Sequence, residues 1–221
     1  MSARRKWVRR ELSWVLLGLL LFPVALTAAG GATLTYRRVF KDSTPEFIEI
    51  KLSEDGAASS DIRQLSEDAN PQSFQVGMGV RAKAFALAGE LHNFDGADLD
   101  VHRRVANLGQ KTFRYEKDGE VHETQFNYTI NHSASQLVMI FEGLAQQRED
   151  LDLLEQRLKY DRLGVNDALL QFESHLSQRS LPEPEGLLPV LDRIAADSRL
   201  VDVARQRARA IAGRIRTSQG Q

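Results

Sequence analysis

Five histidines, His92, His102, His122, His132 and His175, are the side chains best suited to acid–base or metal chemistry near neutral pH. The first four lie ten, twenty and ten residues apart, and neither a helical period near 3.6 nor a strand period of 2 brings such positions together. The densest group of ligand types is Asp95, Asp98, Asp100 and His102. Its oxygens and imidazole suit a divalent cation. The ligand order is not that of a calcium loop, however, and no glycine stands where such a loop turns. An acidic helix start accounts for the same residues, because carboxylates favour the positive end of a helix dipole.

Other chemical signatures are incomplete. His122-Glu123 lacks the second histidine of the zinc-protease helix, and Gly77-Met78-Gly79 is followed by no Lys-Ser/Thr pair that would make a phosphate loop. No Gly-x-Ser-x-Gly elbow presents a serine nucleophile. The carboxylate pairs Glu149-Asp150 and Glu183/Glu185 fall where solvated charge is expected. With no cysteine in the chain, thiolate catalysis, disulfides and Cys-ligated metals are excluded. Asn127-Tyr-Thr129 and Asn131-His-Ser133 are formal glycosylation sequons. The sequence therefore assigns no catalytic, cofactor-binding or metal-ligating residue. A hydrolase would need dispersed His, Asp and Ser side chains to converge in one pocket.

The elements that position these residues begin with a long apolar run. No charge falls between Glu11 and Arg37, and the stretch from Leu12 to Leu26 is nearly all apolar. About 20 such residues at 1.5 Å each cross a hydrocarbon core of roughly 30 Å. Trp7 and Trp14 at one end and Tyr36 at the other suit the two interfaces. Five basic residues precede the run, against Arg37, Arg38 and Lys41 after it, so the N-terminus is expected in the cytoplasm. A cleaved signal peptide, with Thr27 and Ala29 or Gly30 and Ala32 at the recognition positions, is the competing reading. Both place the rest of the chain across the membrane.

Beyond the apolar run, Glu46–Ser53 reads as a strand, Gly56–Ser60 as a turn, and Asp61–Ala69 as a short helix stopped by Asn70-Pro71. A strand around Phe74–Met78, a helix over Val80–Leu91, a turn at Asn93–Gly96 and a second helix over Asp98–Leu108 follow. Asp118-Gly119, the pair preferred in type I′ turns, joins strands from Lys111 to Lys117 and Glu120 to Ile130. Phe113 and Tyr115 share one face of the first; Phe126, Tyr128 and Ile130 share one face of the second.

From Ser133 to Gly164 the pattern is helical, with Leu137, Leu144, Leu151, Leu158 and Val165 at spacings of seven and Ser133 or Ser135 as the cap. That stripe is either the buried face of a helix in a bundle or a coiled-coil seam, which Gln147 and Asp161 interrupt. A helix over Asn166–Gln178, a proline-stiffened linker Ser180–Gly186, and helices over Leu187–Ala196 and Ser198–Arg216 complete the chain. The last carries Leu200, Ala204, Ala208, Ile211 and Ile215 on one stripe, with arginines around it. It either packs on the bundle or meets an anionic surface.

The expected fold is α+β: a basic cytoplasmic tail at 1–11, a single transmembrane helix (or signal peptide) at 12–36, an α+β unit with a β-hairpin at 37–131, and a helical region at 132–221. The net charge of −1 hides a basic head, an acidic body and a basic tail, since six arginines face only Asp202 after residue 198. The expected function is a membrane-anchored extracytoplasmic accessory or scaffold protein of a cell envelope (periplasmic if bacterial). It would contact lipid through the N-terminal helix and a protein partner or second copy through the helical region. The alternatives are an extracytoplasmic small-ligand binding or sensing domain and, behind it, a hydrolase with a dispersed site. No cofactor is implied. Nucleic acid is not an expected partner, because no aromatics interleave the arginines for base stacking.

Overall fold

The computed structural model describes residues 31–218. The described residues are mixed α+β, with one six-stranded antiparallel sheet and five α-helices. Strands β1 (Thr33–Val39), β2 (Phe47–Ser53), β3 (Ala57–Arg63) and β4 (Gln72–Gln75) form a meander. Helix α1 (Met78–Glu90) then crosses to the other side of β1, where the hairpin of β5 (Gln110–Lys117) and β6 (Glu120–Phe126) is added. The spatial order is β4-β3-β2-β1-β5-β6. Helices α2 (His132–Tyr160), α3 (Val165–Ser177), α4 (Leu188–Ala196) and α5 (Asp202–Ser218) follow.

Register explains which face is buried. Tyr36 sits between Ile50 and Phe113, and Leu34 lies opposite Leu52, so the alternate residues of adjacent strands make one apolar face. Helix α1 and the first half of α2 cover it. The opposite face carries Arg37, Glu49, Lys51 and Arg114, with Arg37 and Lys51 both paired to Glu49. An antiparallel sheet tolerates one such solvated face. At the centre of the covered face, the Phe113 ring lies 5.2 to 6.3 Å from those of Phe94, Phe126, Tyr36 and Phe141.

A second core begins where α2 leaves the sheet. Leu154, Val165, Leu169, Phe172, Leu191, Ile194, Ile211 and Ile215 are all buried there. The seven-residue stripe of α2 thus serves two cores: Leu137 and Leu144 close the sheet, while Leu151 and Leu158 pack among the later helices. These side chains are spent inside the molecule and are not free to form a coiled-coil seam. The α5 stripe packs likewise, and Arg207 and Arg214 both pair with Glu173 while Arg216 pairs with Asp192.

Several expectations need correction. Residues 12–30 of the proposed span, and the basic tail before them, lie outside the described residues. The remainder of that span enters β1, and Tyr36, expected at a membrane interface, is 0% exposed in the core. Among the described residues, no helix is long and apolar enough to cross a membrane. The expected turn at Gly56–Ser60 and helix at Asp61–Ala69 are replaced by β3. The turn comes earlier, at Gly56, and Ala58 and Ser60 are small enough to lie buried opposite β2. The first strand expected near Phe74–Met78 lies at Gln72–Gln75, and α1 starts at Met78.

No helix forms over Asp98–Leu108, because this segment bonds to residues 127–128 instead of to itself. The Val101 N–H donates to the Tyr128 carbonyl, and the Asn127 side chain donates to the Ala106 carbonyl and accepts from the Leu108 N–H. That arrangement also ends β6 at Phe126 and leaves Tyr128 and Ile130 exposed. The cap of α2 is Asn131, whose side chain accepts the Ala134 N–H, rather than Ser133 or Ser135. The helix stops at Tyr160, and Asp161 caps the single 3-10 turn that runs to Gly164. The hairpin turn is as expected, with Asp118 at φ 52° and Gly119 at φ 85°.

The aromatic cluster sets the expected cost of truncation. Phe113→Ala should destabilise the fold by about 3–5 kcal/mol, as for other buried phenylalanines. Tyr128→Ala should stay within about 0.5 kcal/mol, as exposed positions do. Urea denaturation followed by circular dichroism measures both, and equal effects would contradict the register described above.

Candidate functional site

The segment read as a linker, Ser180–Gly186, is a clasp. At Gly143 of α2 an added methyl group would collide with the Ser180 carbonyl and come within 2.8 Å of Pro182 Cδ, so only glycine admits this crossing. Four residues on, Gln147 Oε1 accepts the Glu183 N–H at 3.1 Å. The Glu183 carboxylate then lies against Gly77, which caps α1 without any side chain of its own. A carboxylate at that end of a helix is favoured by the helix dipole. Glu183 was expected to be a solvated charge; it joins the helical region to the sheet unit instead. Burial raises its carboxyl above the ordinary range, and the Gly77 N–H opposes that shift.

The clasp closes one side of a cleft of about 510 Å³. Lys83 of α1, Met139 and Glu142 of α2, His175 of α3, Arg179 just after it and Pro182 of the clasp are among the residues that line it. Its size falls in the range of small-molecule sites, which concentrate where two packed units meet.

At the back of this cleft lies a hydrogen-bonded carboxylate–imidazole pair. Asp150 is 2% exposed, and its two oxygens lie 2.9 and 3.0 Å from His175 Nδ1. Gln146 Nε2 approaches Oδ1 at 3.4 Å. A carboxylate facing Nδ1 fixes the tautomer and the ring plane, leaving Nε2 as the nitrogen available to the cleft. Burial pushes the Asp150 carboxyl above the ordinary aspartate range, while the His175 hydrogen bond and charge pull it back. Glu149 beside it is raised too, first by burial and then by Asp150. The sequence reading of Glu149-Asp150 as solvated charge fails at Asp150. The available signal was its spacing: Asp150 is four residues before buried Leu154, so the two share one face of α2.

Chemically, Asp150 and His175 form the orienting half of an acid–base site. The hydroxyl that would complete a nucleophilic triad is turned elsewhere. Ser180 Oγ donates to the His175 main-chain carbonyl at 3.0 Å, and among the described residues no hydroxyl bonds to Nε2. The cleft's carboxylate, Glu142, is also committed. It accepts from the Tyr36 hydroxyl and, at 2.9 Å, from Arg38 Nη1. Burial, followed by the Glu142 charge, pushes the Tyr36 hydroxyl far above the ordinary tyrosine range.

The other histidines lie apart from this cleft. His122 Nδ1 is 3.4 Å from Asp95 Oδ1 at the end of the β5–β6 hairpin, where His92 also lies. His102 Nε2 is 2.7 Å from Asp98, which raises the imidazole's affinity for a proton. Asp100 Oδ1 accepts the Tyr128 N–H at 3.4 Å, and His132 contacts Gln136. The run Asp95, Asp98, Asp100 and His102 therefore serves separate local contacts and starts no helix. Among the described residues no group of three His, Asp or Glu side chains is placed to hold a metal ion. No protein-family model matches the chain, and no curated protein matches it either.

The raised Asp150 carboxyl has a signed consequence. Its protonated form is favoured on folding, so it contributes stability below its ordinary value of 3.8 that is lost as pH rises through the native value. Asp150→Asn keeps an acceptor for His175 and removes that titration. Urea denaturation across the acidic range should show stability falling less with rising pH in the variant than in the native chain. Identical slopes would sink this account.

Proposed function

We propose that this chain is a membrane-anchored extracytoplasmic binding domain, which captures a small ligand in the cleft between its sheet unit and its helical region. The observation that carries the reading is the construction of that cleft. Its walls come from α1, α2, α3 and the clasp, and Asp150 holds one of its side chains, His175, in a fixed orientation. A buried carboxylate is costly, and its value lies in orientation more than in stability. The anchor is the apolar run of residues 12–30, shortened from the sequence expectation because β1 starts at Thr33. Capture without chemistry fits a dyad that has no hydroxyl on Nε2.

A second reading, the accessory or scaffold protein, draws on a different surface. Leu163 is 79% and Val203 52% exposed, and the Asn166–Arg207 hydrogen bond brings the starts of α3 and α5 side by side. Two apolar residues flanking one such junction suit contact with another protein.

The absence of cysteine makes topology directly testable. Ile130, 75% exposed, replaced by cysteine should react with a membrane-impermeant maleimide in intact cells, while Ser2→Cys should not. The opposite pattern would overturn the extracytoplasmic assignment.

Native mass spectrometry of the full chain released from its membranes tests capture. A non-covalent small-molecule adduct should be present and should be lost in Met139→Arg, which places a long charged side chain in the cleft. Rebinding at about 100 times Kd should add about 2.7 kcal/mol, or about 5–10 °C in melting temperature for a domain of this size. An adduct unaffected by Met139→Arg, or a protein partner in its place, would favour the second reading.

A further inference from the structure

Three clefts of similar size differ sharply in charge. The hollow at the hairpin end, about 540 Å³, has Lys117 against Asp95, Asp118 and Glu120. The one between the end of β3 and α2, about 500 Å³, has Arg63 against Glu67, Glu149 and Asp152. Partial burial raises the Glu149 carboxyl above the ordinary glutamate range. Both hollows are acidic. The cleft at the clasp is the reverse, with Lys83 and Arg179 against Glu142 alone.

That lone carboxylate is already neutralised. One Glu142 oxygen takes the Tyr36 hydroxyl and the other takes Arg38, so its charge faces the sheet. His175 is balanced by Asp150 behind it. Lys83 and Arg179 have no ion-pair partner among the described residues, and both line this cleft, one from α1 and one from the turn that follows α3. The same cleft is lined by Met139, 70% exposed, with Ile140 and Pro182. A water-facing methionine is a flexible, polarisable surface that adapts to an apolar body.

We propose that the cleft binds a small amphipathic organic anion, its carboxylate held by Lys83 and Arg179 and its apolar body laid on Met139, Ile140 and Pro182. This rests on the binding reading above and adds the chemical class. Arginine supplies a planar fork for a carboxylate and lysine a point charge, so the pair fixes the head while the apolar wall selects the body. His175 Nε2 adds a polar contact whose direction Asp150 sets. The body is an acyl chain, as in a fatty acid leaving a membrane, or an aromatic ring, as in a soluble metabolite; the head-group chemistry is the same.

Isothermal titration of the full chain in lipid nanodiscs, with empty nanodiscs subtracted, separates these cases. The probes are octanoate, 2-naphthoate, 2-naphthalenemethanol and 2-naphthylmethylammonium. Octanoate or 2-naphthoate should bind saturably, and whichever binds more tightly names the source. The alcohol and the ammonium should bind at least about tenfold more weakly, and Lys83→Gln and Arg179→Gln should each weaken the carboxylate by roughly ten- to a hundredfold. Lys117→Gln, in the hairpin-end hollow, should leave binding unchanged.

Alcohol or ammonium binding as tight as the carboxylate's would overturn the anion assignment. Carboxylate binding indifferent to both cation variants would do the same. Were none of the four probes to bind while the native adduct persisted and was lost in Met139→Arg, the anion class would fall and the binding reading would stand. Loss of both would remove the two together.

Discussion

The arrangement depends on α2 being one unbroken helix that belongs to two cores. Its 29 residues span about 43 Å at 1.5 Å per residue. Leu137, Ile140, Phe141 and Leu144 close the apolar face of the sheet, and Leu154 enters the core of the later helices. A straight helix transmits orientation along its length, so the packing of one half limits where the other can sit. The sheet alone would leave Tyr36, Phe113 and Phe126 open to water on one face, and α3, α4 and α5 alone would lack the strip that Leu154 supplies. Neither half buries its apolar surface without α2.

Two cores sharing a helix leave a seam between them, and the chain closes that seam with polar chemistry. The clasp crosses α2 at Gly143, is tied by Gln147, and reaches α1 through Glu183. Beside it the buried Asp150–His175 pair spans α2 and α3. Packed hydrocarbon in the same place would give as much stability or more. Directional bonds instead fix one separation between the walls, and a cleft that must discriminate among ligands needs a fixed separation more than added stability.

Local rules made much of this fold legible in advance. Asp118-Gly119 demands the left-handed conformations of a type I′ turn, and the hairpin forms there. The seven-residue stripe from Leu137 and the alternating stripe of α5 marked buried faces correctly. What failed was decided by contacts distant in sequence. Ala57–Arg63 is poor in β-branched residues, with only Ile62, and becomes a strand because β2 offers it a partner of matching register. Asp98–Leu108 has the composition of a helix start, yet Asn127 and Tyr128 take up its backbone groups first. The cleft was beyond reach for the same reason: Lys83, Asp150 and His175 come from separate helices, and no local period relates them. His175 drew attention only as a residue type, and Asp150 was set aside as a surface acid.

The distribution of charge gives the residues of the cleft their meaning. A basic tail and an acidic body suggest attraction to something outside the chain, but the tail spends much of its charge within it. Arg207 and Arg214 converge on Glu173, Arg216 meets Asp192, and Arg199 holds the Asp197 carboxyl down to about 2. Exposed pairs of this kind contribute little stability each. Their larger effect is to remove positive charge from the surface of α5, which weakens the case for that helix as a membrane- or partner-binding face. Lys83 and Arg179 are different, because the carboxylate nearest to them in the cleft is turned toward Tyr36 and Arg38. Positive charge left uncompensated in a concave site, where the low-dielectric walls focus its field, attracts an anion more strongly than the same charge on an open helix.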